Sequence, residues 1–353
     1  MKDQKISNNS LMVIITGIVI GIFGALLVKF GNPGNMGVCV ACFLRDITGS
    51  LGLHRASVVQ YIRPEIIGFV LGAFIVSLLA GEFKARGGSS SITRFLLGAF
   101  VMIGALVFLG CPVRMLLRLG GGDLNSLTAL IGFIIGIYIG VLFLKKGFTL
   151  GRSNQINKTN GYVLPLLMLS IFILLLVKPS FIFISEKGPG SMHAPIIISI
   201  IAGLIIGGLA QRSRFCFVGG IRDVILIRSS HLLIGFIIAL LLVFIVNLAL
   251  GQFSLGFSGQ FAAHSNHLWN LLGMLLVGIS ATLLGGCPLR QLILTGEGDC
   301  DSAVTVLGFV AGAAVAHNFI LAASPEGVPL NGQIAVIIGI VICLVVGFIN
   351  REK

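Results

Sequence analysis

Gly110-Cys111-Pro112-Val113-Arg114 recurs in the second half of the chain as Gly286-Cys287-Pro288-Leu289-Arg290, each copy within an apolar run. The match continues downstream, where Gly120, Gly122, Asp123 and Ser126 correspond to Gly296, Gly298, Asp299 and Ser302. Nine of seventeen positions are identical between 110–126 and 286–302, and Gly132-Phe133 then matches Gly308-Phe309. Upstream, Cys39, Arg45 and Asp46 pair with Cys216, Arg222 and Asp223 in a second block. Two blocks in the same order and at nearly the same separation mark an internal duplication.

The surrounding composition excludes a water-soluble fold. The 353 residues are 56% hydrophobic and 10% charged, and mean hydropathy is +1.07. A soluble domain carries roughly a quarter charged residues. Apolar runs lie near 11–30, 62–81, 93–111, 124–144, 162–184, 194–211, 231–251, 268–287, 302–323 and 332–350. Crossing a bilayer takes about 20 such residues. The expected architecture is an all-α polytopic membrane protein with about ten transmembrane segments plus re-entrant helices. The expected divisions are a first repeat over 1–150, a linker and central helix over 151–193, a second repeat over 194–330 and a C-terminal helix over 331–353. Leu11 to Val28 reads as a retained first helix, not a cleaved leader.

The net charge of +12 follows from 24 Lys and Arg against 12 Asp and Glu. Its distribution points to the positive-inside bias, not to nucleic acid. Lys84, Arg86, Lys145, Lys146, Arg152, Lys158, Arg212, Arg214 and Arg222 fall in loops on one side, whereas Gln252 to His267 holds no charged residue. This predicts a multi-pass protein of the inner (plasma) membrane with both termini, including Arg351-Glu352-Lys353, in the cytoplasm. Arg45 and Arg55 break the pattern unless 31–50 dips into the membrane and returns. About five spans separate the two copies. An odd number inverts the second copy, and inverted repeats place their site near the midplane at discontinuous helices.

Proline within an apolar run breaks the helix and suits the first position of a new one. Cys111 and Cys287 are therefore expected as N-caps of half-helices, positions that attract anions. Arg114 and Arg290 are intramembrane charges, a class that usually lines a route; each is expected to offset a permeating anion or to pair with Asp123 or Asp299. Arg45-Asp46 and Arg222-Asp223 read as structural ion pairs. Cys39 and Cys216 read as substrate-facing. Cys42 has no counterpart, since Gly219 fills its position, and Cys39-x-x-Cys42 also has the spacing of a redox pair. Cys300 and Cys343 read as packing residues, and His317 as a packed, hydrogen-bonded histidine. His193, His264 and His267 read as solvated, and His54 and His231 each follow their Asp by eight residues. No zinc spacing, P-loop or hydrolase motif is present, so no metal, cofactor or enzymatic activity is expected.

At these motifs the chain resembles the YeeE/YedE family of sulfur-transport membrane proteins. Gly34 to Asp46 and Gln60-Tyr61-Ile62-Arg63-Pro64-Glu65 look closest to its YedE-like branch, associated with selenium metabolism. The resemblance implies an importer of a small sulfur- or selenium-containing anion. It casts Cys111, Cys216 and Cys287 as central relay cysteines along an hourglass-shaped path, with Cys39 as a fourth. Thiols there donate S–H hydrogen bonds, or form transient sulfur–sulfur or sulfur–selenium contacts. Two other readings stand beside it: a membrane thiol–disulfide oxidoreductase using Cys39 and Cys42 with a quinone, and a membrane partner that hands sulfur or selenium to a cytoplasmic carrier protein.

Overall fold

A computed structural model describes residues 2–351, with side chains from residue 10 onward. Met1, Glu352 and Lys353, on which the predicted side of the termini partly rests, lie outside the described residues. The first half contributes α1 (Lys2–Lys29), α2 (Val40–Ser50), α3 (Pro64–Leu79), α4 (Ser91–Phe108), α5 (Pro112–Gly120), α6 (Asn125–Lys145) and α7 (Lys158–Val177). The second repeats the order as α8 (Ile196–Ser213), α9 (Phe217–Ile227), α10 (His231–Ala249), α11 (His267–Leu283), α12 (Pro288–Gly296), α13 (Cys300–Asn318) and α14 (Leu330–Ile349). Two-residue strands β1 (Arg86–Gly87) and β2 (Asn154–Gln155) pair antiparallel, which ties the stretch between the halves to the loop before α4.

Among the described residues, nine segments are long and apolar enough to cross a membrane, three of them helix pairs: α4 with α5, α8 with α9, and α11 with α12. The tenth expected span corresponds to α3, a shorter apolar helix. The protein is an all-α polytopic membrane protein. Rows of exposed leucine and isoleucine on α6, α7, α10 and α14 face outward, as lipid-facing surfaces require.

The halves are inverted with respect to one another. Asn32, just beyond the end of α1, accepts a bond from the Ala194 amide just before α8, whereas Arg212, at the end of α8, reaches Glu82 at the other end of the molecule. Matching helices therefore run antiparallel. They also exchange partners: α6 packs on α11 as α13 packs on α4, and α3 packs on α8 as α10 packs on α1. The shared Gly132 and Gly308 explain how closely the first of these pairs approaches. A Cβ on Gly132 would stand 2.0 Å from the Leu271 carbonyl oxygen, and one on Gly308 would stand 2.3 Å from that of Phe95. Loops are exchanged too. Residues 254–256 clasp the α5–α6 turn, while Lys84 and Arg86 clasp the α12–α13 turn. α7 and α14 depart from the symmetry, α7 lying on α3 and α14 on α4 and α11.

Arg86, Arg212 and Arg214 gather with Glu82, Glu297 and Asp299 at one end. The uncharged 252–267 loop lies at the other, against the start of α6.

Candidate functional site

The four duplicated cysteines all occupy one kind of position. Cys39, Cys111, Cys216 and Cys287 are the N-caps of α2, α5, α9 and α12. Each thus sits at the partially positive end of a short helix. Pro112 and Pro288 open their helices at the first turn, where the missing N–H costs nothing. The preceding long helices end in left-handed backbone, at Leu109 (φ 65°) in one half and Gly285 (φ 84°) in the other.

Two pairs result. Cys39 Sγ lies 4.0 Å from Cys111 Sγ, and it accepts the Cys42 amide at 3.4 Å. Cys216 Sγ accepts the amides of Gly219 at 3.3 Å and of Cys287 at 3.4 Å. All four thiols are buried. The re-entrant segment holding Cys39 enters from the end opposite the charged cluster and that holding Cys216 from the charged end, as the sequence pattern anticipated.

Two vestibules lie beside the helix breaks that precede Cys111 and Cys287. The first, of about 310 Å³, is lined by Arg45, Leu109, Ala262 and His317 among others. The second, of about 190 Å³ at the charged end, is lined by Arg94, Arg222, Leu284 and Gly285. Arg45 matches Arg222 and Leu109 matches Gly285, so both vestibules present a duplicated arginine at a helix break. The Arg-Asp pairs form as expected, with Arg45 to Asp46 at 2.7 Å and Arg222 to Asp223 at 2.8 Å. Being paired does not remove these arginines from the openings, and Arg222 also donates to the Gly285 carbonyl at 3.2 Å.

The intramembrane arginines correct the pairing read from sequence. Asp123 is taken by Arg118 at 2.6 Å, and Asp299 by Arg86 at 2.7 Å. Arg290 instead meets Glu297 at 3.0 Å. Arg114 has no carboxylate partner among the described residues. It folds back over its own break to donate to the Leu109 carbonyl, reaches Phe261 and Ala262 carbonyls at 3.2 Å each, and lies 3.9 Å from Cys42 Sγ. Its Nε is buried without a partner. Glycine at 110 permits the fold-back, because a Cβ there would lie 2.8 Å from Arg114 Cδ. Reading the duplicated residues missed Arg118 and Glu297 because neither is duplicated: Leu294 and Gly121 stand at the matching positions. Arg63, the second partner of Asp46 at 2.7 Å, was likewise missed. Its only signal was a charge just before the apolar run of α3.

Two histidines also differ from expectation. His264 is buried, its Nε2 on the Val107 carbonyl at 2.8 Å and its Nδ1 accepting the Asn266 amide. His317 stacks on His54 with ring centroids 4.5 Å apart, and its buried Nε2 has no hydrogen-bond partner. Cys343 packs in the core beside Ser280, while Cys300 is half-buried. Among the described residues no group of three or more His, Cys, Asp or Glu has a metal-holding arrangement.

Residues 212–346 match the family model described as sulphur transport. Over that stretch the chain is similar to this family. The thiosulfate transporter TsuA of Escherichia coli (strain K12) is 27% identical over 130 residues, 36% of each chain, so the match spans about a third of that curated relative. The YeeE/YedE resemblance of the motifs is thus borne out, while neither match speaks to selenium. The sulphur transport match includes Cys216, Cys287 and Arg290; Cys39, Cys111 and Arg114 lie outside it and enter through the duplication.

Proposed function

We propose that this chain carries a small sulfur-containing anion across the membrane by way of its two cysteine pairs. One observation carries the reading: four buried cysteines cap four half-helices and meet in two pairs. Helix N-termini favour anions, and arginine at each opening raises their local concentration. A soft thiol supplies an S–H donor to a polarisable sulfur, and successive weak sites let an ion enter without being trapped. Cys39, Cys111, Cys216 and Cys287 bind the anion in turn, and Arg114 and Arg290 set the potential behind them. Arg45, Asp46, Arg222 and Asp223 fix the re-entrant helices at the openings. The name of the thiosulfate transporter relative supports thiosulfate as the first ion to test; a selenium anion is the alternative cargo.

On this reading the Arg222 vestibule opens to the cytoplasm and the Arg45 vestibule outside, with both termini cytoplasmic and the protein in the plasma membrane; the positive-inside bias of the loops supports it. All four thiols are buried, so on this reading transport requires the breaks at Leu109 and Gly285 to move. Uptake of labelled thiosulfate into liposomes holding the purified protein tests the proposal. Flux in the wild type that falls at least tenfold in Cys111→Ser and in Cys287→Ser is expected; unchanged flux in both variants would sink the relay. Binding of a cytoplasmic carrier without liposome flux would favour the delivery-partner reading instead.

A further inference from the structure

The first vestibule contains a group that the cysteine path does not use. His317, on α13, lines it together with Arg45. His54 lies against His317, and its own hydrogen bonding is complete: Nε2 meets the Arg45 carbonyl at 3.0 Å and Nδ1 accepts the Ala56 amide at 3.3 Å. Those two bonds fix the His54 tautomer and hold its ring as a platform. His317 Nε2, by contrast, is withdrawn from water and bonds to nothing. A buried polar nitrogen left without a partner costs about 1–3 kcal/mol, so it needs a reason. The second vestibule shows no such feature. The position matching His317 is Val141, and the lining there carries Arg94 and Arg222 but no histidine.

Building on the transporter reading, we infer that Arg45 and His317 form an oxyanion-recognition site in the first vestibule, which selects ions carrying S–O or Se–O oxygens before any thiol is reached. The guanidinium of Arg45 engages Asp46 Oδ1 through Nε and Nη2, which leaves the Nη1 edge without a hydrogen bond to the protein. That edge and an imidazole N–H, brought to the opening by a turn of the His317 ring, are two donors for two oxygens of a tetrahedral or pyramidal anion. A bare hydrosulfide has no oxygen for them to hold. Selectivity is then divided: oxygens are read at the opening, sulfur at the cysteines. It also makes the two vestibules unequal, one built to capture and the other to release.

Equilibrium binding to the full-length protein in nanodiscs tests this, with thiosulfate, sulfate and hydrosulfide as separate probes. Sulfate has the oxygens but lacks the terminal sulfur. It is expected to compete with thiosulfate in the wild type, whereas hydrosulfide is not. His317→Phe keeps the ring stacked on His54 and removes the donor; both oxyanions should bind about tenfold more weakly or worse, the loss of one hydrogen bond to a charged group. His317→Asn should recover part of that loss. Cys343→Ser, in the core away from both vestibules, is the control for handling. Absence of competition by sulfate, or wild-type binding in His317→Phe, would overturn the site. Intact oxyanion binding without liposome flux would overturn the transporter reading and leave this site standing.

Discussion

At the scale of single residues, the governing fact is how each buried charge is neutralised. Asp46 serves both Arg45 and Arg63, and all three side chains are almost fully enclosed. Removing the carboxylate leaves two buried cations unpaired. Asp46→Asn is therefore expected to cost about 3–5 kcal/mol, the range for breaking a buried pair. Among the described residues the matching Asp223 pairs only with Arg222, and both side chains keep about a fifth of their surface exposed. Solvent screening reduces that pair to about 1 kcal/mol. Thermal unfolding of both variants in detergent checks the contrast; equal losses would show that the duplicated pairs are equivalent after all. The pairs themselves were legible in sequence because Arg and Asp are adjacent and repeated. Arg118 to Asp123 and Arg290 to Glu297 were not, because each depends on one unduplicated residue brought round by a half-helix.

At the scale of elements, the two helix breaks are the same device made from different residues. Gly285 takes a left-handed backbone at no steric cost, whereas Leu109 adopts it with a side chain, which costs about 1–2 kcal/mol. Leu109 is 5% exposed, so deleting its side chain costs about 2–5 kcal/mol. Burial outweighs the strain, and Leu109→Gly should be destabilised by about 1–3 kcal/mol. Leu109→Ala keeps the strain and loses nearly all the packing, so it should be the less stable of the two. That inversion of the usual alanine–glycine order is measurable by unfolding, and the usual order would refute the left-handed assignment. Helix pairing gives a second test. Gly132→Ala and Gly308→Ala each drive a Cβ onto a facing backbone carbonyl that no rotamer change can move. Both should lose about 1–3 kcal/mol from overpacking. Because the two contacts are related by the inversion, their losses in melting temperature should be similar; a loss in only one would mean that the exchanged helix pairs are not equivalent.

At the scale of the whole molecule, the exchange of helices and loops between halves decides cohesion. The two halves interlock, α6 on α11, α13 on α4, α3 on α8 and α10 on α1. The 252–267 loop ties the far end together, and His264 anchors it to the Val107 carbonyl near the end of α4. Burial lowers the pKa of His264 below its usual 6.5, outweighing the opposing backbone bond. The folded protein therefore keeps His264 neutral where the unfolded chain takes up a proton. The stabilisation is complete above about pH 6.5 and declines as pH falls below it, since the unfolded state then binds more protons. Melting temperature followed from pH 8 to pH 5 should show this decline, and His264→Gln should flatten it. An unchanged slope in the variant would assign the pH dependence to other groups.

The sequence by itself determined the class, the ten crossings, the duplication, its inversion and the cysteines at half-helix starts. These rest on local rules: apolar length, proline geometry and the parity of spans between two copies of a motif. The tertiary structure alone decided which charges meet, that the halves exchange helices, and that Arg45 and Arg222 stand at two vestibules, each at a helix break. It also revealed the unpartnered ring nitrogen of His317. Those facts depend on side chains far apart in the chain that face one another only after packing. A sequence shows that a buried charge needs a partner, but packing selects which one. The Gly-Cys-Pro-x-Arg motif shows both sides of this: its broken helix was written locally, while the neutralisation of its arginine in one half, and not in the other, was set by the fold.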